Sequence, residues 1–130
     1  MELPEFAPGL NARVELTVTD ADTAQSLGSG DVPVLGTPRL LGLAEAATVA
    51  ATARQMPGGV TTVSSRVEVE HRAPTLVGRR VTAQATLTKV DGRKLVFEVV
   101  VHEGETLVAD IRVERVLLDR QQFIARALGD

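Results

Sequence analysis

The stretch GTPRLLGLAEAATVAATARQMPGG, residues 36–59, decides the fold because it predicts one long and nearly apolar helix. Thr37 is a good N-cap, and Pro38 at the first helical position needs no backbone donor there. Pro57 and the two glycines after it end the helix. The helix between these signals has about 19 residues and a length of roughly 28 Å at 1.5 Å per residue. Most of its interior side chains are small, so we expect it to pack closely against a sheet.

A single acid, Glu45, lies near the middle of this helix. Its neighbours one turn away, such as Leu41 and Val49, form no polar stripe. Arg39 and Arg54 are not one turn away, so a local ion pair is not evident. One interpretation is that Glu45 simply points to solvent. A carboxylate on an apolar helix is costly unless a cavity, an interface or a partner receives it, and we therefore interpret Glu45 as a candidate general base or nucleophile.

Alternating apolar residues predict five strands around the helix. ARVELTVT comes before it, followed by a loop rich in Gly, Ser and Asp that has room for a short turn of helix. The four later strands are TTVSSRVEVEH, in which the alternation is imperfect, RRVTAQATLTKV, KLVFEVVVH and TLVADIRVERVLL. Asp91 and Gly92 predict a tight hairpin turn. DRQQFIARALGD predicts a short terminal helix capped by Asp119.

One helix cannot cover both faces of a five-stranded antiparallel sheet. The economical arrangement is a strongly curved sheet wrapped around the helix, with a remaining edge or face buried in a partner. This is the hotdog fold, an α+β fold in which a curved antiparallel sheet of about five strands wraps around one long central helix. We expect a homodimer, and whether dimers pair further into tetramers stays open.

The composition excludes several kinds of partner and chemistry. The net charge is −3, no basic block is present, and three phenylalanines are the only aromatic residues, so we expect no nucleic-acid partner. Cysteine is absent, which excludes disulfides, a thiol nucleophile and thiolate metal sites. Two histidines are too few for a histidine-rich metal cage. We therefore expect no metal and no cofactor.

The beginning of the chain, MELPEFAPGL, is acidic and contains two prolines, unlike a secretion signal. The longest apolar run is too short to span a membrane. We therefore expect a cytoplasmic protein that has no membrane partner.

Two segments, TPRLLGLAEAA and VEVEHRAPTLVG, resemble the signature of the fluoroacetyl-CoA thioesterase family, a branch of the hotdog thioesterases. In that family a threonine, a glutamate eight positions later and a histidine twenty-six positions further form the catalytic set. Thr37, Glu45 and His71 match this set in identity and in both spacings. The resemblance continues through GRRVTAQATLTKVDGRKLVFEVVVHEG into ERVLLDRQQF. It implies a single hotdog thioesterase-like domain over residues 1–130.

Two features depart from the family pattern. Seven positions before the histidine, the resemblance leads us to expect a glycine whose backbone borders the acyl group, and this chain has Ser64 there. We predict that Ser64 contacts the substrate and narrows or repolarises the pocket. Aromatic residues like those of the fluoroacetyl enzyme's lid are also missing, because residues 20–36 contain no phenylalanine. The resemblance therefore supports thioester hydrolysis by this chain better than it supports fluoroacetyl-CoA as the substrate.

The resemblance implies hydrolysis of an acyl-CoA, or of a related thioester, to a carboxylic acid and a free thiol. Glu45 would attack the carbonyl carbon or activate water. His71 would bind the oxyanion or manage the proton that goes to the thiolate. Thr37 would orient Glu45 or bind the carbonyl oxygen. Each residue also has an ordinary structural interpretation, since Thr37 can serve as a cap alone and His71 can be a surface residue at a strand end.

Three arginines near the histidine, Arg72, Arg79 and Arg80, are candidate ligands of the CoA phosphates, and a solvated basic turn is the alternative. Two other functions are open. One is a non-catalytic domain that binds an acyl-CoA or a small carboxylic acid. The other is a hydratase or dehydratase, whose usual arrangement of His with Asp or Glu is not visible in this sequence.

Overall fold

The computed structural model describes residues 2–129, so the two predicted domain ends, Met1 and Asp130, lie outside the described residues. The strands are β1 (Asn11–Thr17), β2 (Val60–His71), β3 (Arg80–Asp91), β4 (Lys94–Glu103) and β5 (Thr106–Asp119). The helices are α1 (Ala24–Leu27), α2 (Thr37–Thr52) and α3 (Arg120–Leu128), with 3-10 turns at Asp20–Asp22 and Ala53–Gln55. None of the helices in residues 2–129 has the length and apolar character needed to cross a membrane.

The five strands form one antiparallel sheet in the order β1-β3-β4-β5-β2. The hairpin between β3 and β4 closes at the pair Asp91 and Lys94, with Gly92 at a φ of 59°, as the Asp-Gly sequence predicts. Asp119 caps α3 by accepting a hydrogen bond from the Gln122 amide at 3.0 Å. The predicted α+β arrangement of five strands around one long helix is confirmed, and β2 forms one edge of the sheet.

One face of α2 is buried against the sheet, chiefly against β1 and β3. Ala44 and Ala47 are completely buried there, which confirms the close packing predicted from the small side chains. On the sheet, every second residue of a strand faces the helix side and is buried, for example Val81, Ala83 and Ala85 of β3. Small residues on both elements therefore allow the helix axis to lie near the sheet backbone.

The opposite face of α2 is apolar and exposed. Three of its residues and the first residue of the following 3-10 turn have helical spacing, and we call these four the open stripe: Ala46, Val49, Ala50 and Ala53. Val49 retains 48% of its accessible surface. Within residues 2–129 no other element covers this apolar helix face.

The beginning of α2 differs from the prediction that Thr37 is its N-cap. Gly36 is the N-cap, and Thr37 occupies the first turn of the helix together with Pro38. Gly36 is required by a close approach, because a Cβ there would lie 2.9 Å from Leu27 Cδ1 and 3.1 Å from Ala24 Cα. The Thr37 hydroxyl is consequently not needed as a cap. The α-helix also ends earlier than predicted, at Thr52, and continues as the 3-10 turn.

The imperfect alternation in the β2 sequence has a structural cause. Ser64 pairs with Arg115 and Arg66 pairs with Glu114, so the register shifts by one residue at a β-bulge. Ser65 is the extra residue, and its side chain is exposed. A bulge re-aims the side chains on either side of it. The bulge therefore determines the direction in which the Ser64 side chain points from the strand.

Candidate active site

The first pair of site residues lies where α2 begins and β2 ends. Thr37 Oγ1 and His71 Nδ1 are 2.8 Å apart, a hydrogen-bond distance, and either atom can donate depending on the imidazole tautomer. Burial lowers the pKa of His71, and a backbone hydrogen bond with Ala73 partly opposes this shift. The neutral imidazole is therefore favoured. A neutral imidazole beside a hydroxyl can accept its proton and release it again.

The surroundings of this pair are shallow and open. His71 Nε2 is buried and has no hydrogen-bond partner among residues 2–129, so the imidazole reaches other groups through Nδ1. Thr37 is exposed. The pair lies in a surface depression whose lining residues are Val34, Thr37, His71, Arg72, Ala73 and Pro74. A ligand can therefore approach the threonine hydroxyl from solvent.

Glu45 is not simply solvated. Its side chain is 36% exposed, and its Oε2 accepts a hydrogen bond from Ser64 Oγ at 2.6 Å. This distance is typical of a hydroxyl that donates to an ionised carboxylate. The same Oε2 lies 4.0 Å from Arg115 Nη1. The only acid of α2 is thus received by two polar residues of the neighbouring strands, which is why an apolar helix carries it.

Arg115 is the buried cation of the site, at 7% exposure. Its Nη1 donates to Ser64 Oγ at 2.8 Å, while its Nε and Nη2 donate to the hydroxyl and the carbonyl oxygen of Thr62 at 2.8 and 2.9 Å. Burial lowers the pKa of Arg115, and the charge of Glu45 opposes that shift. An arginine in proteins stays protonated. We call Glu45, Ser64 and Arg115 the Glu45 cluster.

Sequence reasoning missed Arg115, although a signal for it was present. On β5 the buried positions alternate through Ile111, Val113 and Leu117, and Arg115 has the same phase. A charged residue on the buried face of a strand needs polar partners in the protein. The alternation alone therefore predicts a buried cation, but it does not say which helix residue receives it.

The structure places the three residues of the predicted catalytic set in two groups. Thr37 and His71 form one hydrogen-bonded pair, and Glu45 belongs to its own cluster eight residues further along α2. Eight residues correspond to about 12 Å of helix rise. Within residues 2–129 no hydrogen bond or ion pair joins the two groups.

The three candidate phosphate ligands lie at the surface and are already paired with carboxylates. Arg72 forms ion pairs with Asp110 and with Glu70, the latter at 2.7 Å, and its pKa is raised chiefly by the hydrogen bond to Asp110. Arg79 lies 3.3 Å from Glu103. Arg80 lies 3.8 Å from Glu15.

Of the three, Arg72 alone lines the depression beside His71. Across residues 2–129, no three histidine, aspartate or glutamate side chains come together as a metal site.

Comparison with known proteins decides the family. A family model described as fluoroacetyl-CoA-specific thioesterase matches residues 18–121. The chain belongs to this family. The curated fluoroacetyl-CoA thioesterase of Streptantibioticus cattleyicolor is 32% identical over 93 residues, which cover 72% of this chain and 67% of that protein. The resemblance read from the sequence is therefore confirmed, and the chain is a thioesterase.

Solved structures agree with this family. A structure of the fluoroacetyl-CoA thioesterase superposes with a TM-score of 0.88 at 26% identity, covering 97% of this chain and 98% of that one. A thioesterase superfamily member from Thermus thermophilus gives 0.89 at 27% identity, covering 98% and 96%. A hot-dog-like protein from Thermanaerovibrio acidaminovorans gives 0.87 at 24% identity, covering 95% and 92%, and shares the fold. The predicted hotdog fold is confirmed.

Proposed function

We propose that this thioesterase hydrolyses an acyl-CoA to a carboxylic acid and free CoA, with Thr37, Glu45 and His71 as its catalytic residues. The observation that carries the proposal is that Ser64 holds the Glu45 carboxylate by a hydrogen bond on α2. At the start of the same helix, the Thr37 hydroxyl is hydrogen-bonded to the His71 imidazole. The relatives support the substrate class, since one similar structure is a fluoroacetyl-CoA-specific thioesterase solved in complex with fluoroacetate and CoA.

In the proposed reaction Glu45 acts on the thioester carbonyl, either as a nucleophile that forms an anhydride or as a base that removes a proton from attacking water. The Thr37 hydroxyl and the amides at the start of α2 stabilise the negative charge that develops on the carbonyl oxygen. The carbon–sulfur bond then breaks, and His71 delivers a proton to the departing thiolate through the Thr37 hydroxyl, while solvent replaces the proton on the imidazole. When Glu45 acts as the base, the oxygen of the attacking water ends in the acid. When Glu45 is the nucleophile, water opens the anhydride at the Glu45 carbonyl carbon, so the water oxygen stays in Glu45 and the acid leaves with an oxygen of Glu45. No resident metal or cofactor takes part.

The proposed substrate is an acyl-CoA other than the fluorinated one. Residues 20–36, which run from the first 3-10 turn to the N-cap of α2, contain no phenylalanine. Ser64 stands beside Glu45 and adds a polar side chain there. A pocket with these features favours short acyl groups, because the Ser64 side chain takes up space beside Glu45. We further propose that Arg72, Arg79 and Arg80 meet the CoA phosphates and that the enzyme works in the cytoplasm.

The decisive experiment is a thiol-release assay over short, branched and aromatic acyl-CoAs. Glu45→Gln keeps the size of the side chain and removes its charge, so we expect kcat to fall about 10³-fold, within the range of a lost general base, and the circular dichroism spectrum to stay unchanged. Glu98→Gln is the control, because Glu98 pairs with Arg112 on the outer face of the sheet.

Two results would contradict the proposal. Turnover that survives in Glu45→Gln would remove Glu45 from the mechanism. An inert panel, combined with tight binding in isothermal titration, would favour the non-catalytic binding domain instead. If the enzyme is active, single-turnover hydrolysis in ¹⁸O-labelled water separates the two roles of Glu45, since only a nucleophile acquires the label.

We also propose a homodimer whose second copy lies along β2 and covers the open stripe. β2 has 12 residues and pairs on one side only, with β5. Two identical edges can pair antiparallel about a two-fold axis, which continues the sheet through both copies. Val49 and its alanine neighbours then become buried.

A charge on the open stripe tests the dimer. Ala50 is exposed, so the isolated chain tolerates Ala50→Glu, whereas a dimer that buries this position does not. We expect light scattering after size exclusion to give a dimer for the original chain and a monomer for Ala50→Glu. Val100→Glu is the control, because Val100 is 38% exposed on β4 away from the stripe. A monomeric original chain would contradict the proposal.

A further inference from the structure

We infer that Ser64 and Arg115 are positioning residues that hold the Glu45 carboxylate, so that Ser64 acts on Glu45 rather than on the substrate. This inference rests on the proposed thioesterase function. Its starting point is the continuous chain of hydrogen bonds from Arg115 Nη1 to Ser64 Oγ at 2.8 Å and from Ser64 Oγ to Glu45 Oε2 at 2.6 Å.

The chemistry of the three groups determines which of them donates and which accepts in each of these hydrogen bonds. A guanidinium has donors only, so the Ser64 oxygen must accept from Arg115. The single hydroxyl proton of Ser64 is then free for one acceptor, and the nearest one is Glu45 Oε2. Ser64 therefore acts as a donor to an ionised carboxylate, and a hydroxyl used in this way has no proton left for a substrate oxygen.

Arg115, at the far end of this series of hydrogen bonds, is held firmly in place. Arg115 is 7% exposed, and two more of its donors bind the hydroxyl and the carbonyl oxygen of Thr62. Ser64 and Arg115 are also direct partners in the register of β2 and β5, next to the bulge. The sheet backbone thus determines where the guanidinium lies, and Ser64 transmits that position to the helix.

The two carboxylate oxygens of Glu45 therefore have different roles. Oε2 is held by Ser64 and faces Arg115, whereas Oε1 has no hydrogen-bond partner among the described residues. The side chain keeps 36% of its accessible surface. The held oxygen fixes the orientation of the carboxylate, and Oε1 is the oxygen that meets the thioester carbonyl or the attacking water.

Steady-state kinetics of Ser64→Ala and Ser64→Thr test the inference. Ser64→Ala removes the hydroxyl from a partly exposed position and does not threaten the fold. We expect kcat to fall 10- to 100-fold with KM changed less than threefold, because the carboxylate loses its orientation while the substrate loses no contact. Ser64→Thr keeps the hydroxyl, and we expect it to restore kcat to within about threefold of the original enzyme.

Matched variants separate positioning from a general structural effect. Ser65→Ala is the control on the same strand, since the exposed Ser65 hydroxyl only donates to the Glu114 carbonyl oxygen at 3.3 Å, and its kcat should be unchanged. In the background of Glu45→Gln, Ser64→Ala should lower the residual rate less than twofold, because the two changes act through one group. A threefold or larger rise in KM with kcat unchanged would overturn the inference and make Ser64 a substrate contact.

A measurement without turnover distinguishes this inference from the proposed function. Urea unfolding of Ser64→Ala, Glu45→Gln and the double variant gives the coupling between the two residues in the folded protein. We expect the effects of the two changes on the unfolding equilibrium constant to be non-additive by at least threefold. Additive effects would overturn the inference even in an active enzyme. If the two residues are strongly coupled but the protein hydrolyses no thioester, the contact between Ser64 and Glu45 stands and only the proposed function is refuted.

Discussion

The two groups of site residues on α2 are held by different interactions. At the start of the helix, Thr37 and His71 are joined by one hydrogen bond beside an open depression. Further along, Glu45 belongs to a cluster that a buried arginine anchors through three hydrogen bonds of its own. The first group is easy for a ligand to reach and weakly fixed. The second is firmly fixed and only partly accessible.

This contrast fits the different tasks that we propose for the two groups. A proton carrier must gain and lose a proton readily, and an imidazole whose neutral form is favoured can do so beside an exposed hydroxyl. An attacking carboxylate needs a fixed direction, which a rigid cation behind it provides. Arg115 is the one buried charged side chain among residues 2–129, and it lies behind the carboxylate whose orientation matters in the proposed reaction. Substitutions in the two groups should therefore affect stability and activity in different proportions.

The largest effect on stability is expected for Arg115→Met. The substitution keeps an unbranched chain of similar length and removes three charged hydrogen bonds, leaving Thr62 and Ser64 without a donor. We expect the free energy of unfolding to fall by about 3 kcal/mol, because each lost bond from a charged donor is worth roughly 1.5 kcal/mol or more and methionine packing recovers part of it.

Urea unfolding measures this effect. Arg112→Met on the exposed face of the same strand is the control, and it should change the free energy of unfolding by less than about 0.5 kcal/mol. Equal losses in the two variants would mean that the buried arginine has no special role in the fold.

An intermediate effect, mainly on rate, is expected for Thr37→Val. Valine has the shape of threonine without its hydroxyl, so the hydrogen bond to His71 is lost while the helix start is retained. We expect kcat to fall about 10²-fold, as for a lost oxyanion donor, and the free energy of unfolding to change by less than about 1 kcal/mol. A kcat near that of the original enzyme would reduce Thr37 to a structural residue at the helix start.

The smallest effect is a dependence of stability on pH that comes from His71. Burial lowers the pKa of His71 in the folded chain, whereas an unfolded histidine titrates near 6.5. Between the two values the unfolded chain binds more protons, so the contribution of His71 to stability is intact above about pH 6.5 and is lost as the pH falls toward the lowered pKa. Replacing His71 with asparagine should therefore reduce the drop in stability between pH 7.5 and pH 5.

Urea unfolding at both pH values measures the difference. His102→Gln leaves His71 in place and should keep the part of the drop that His71 causes. A drop of the same size in His71→Asn as in the original chain would show that His71 does not titrate differently in the folded and unfolded states.

Much of the architecture was predictable because it depends on local patterns. The two-residue alternation of the strands, the Asp-Gly turn and the proline and glycine signals around α2 each act over a few residues. The spacing of Thr37, Glu45 and His71 likewise pointed to the family. The N-cap was mispredicted, because the choice between Thr37 and Gly36 depends on how closely Ala24 approaches from another part of the chain.

The sequence by itself determined five antiparallel strands, one long helix with a lone acid, and membership in a thioesterase family, since these depend on residue order and spacing. Only the tertiary structure decided which groups meet. It joined Thr37 with His71 and brought Ser64 and Arg115 to Glu45 from two paired strands. The register of β2 against β5 and the bulge beside Ser64 produce that meeting. Both are set by long-range pairing, which no short stretch of sequence encodes.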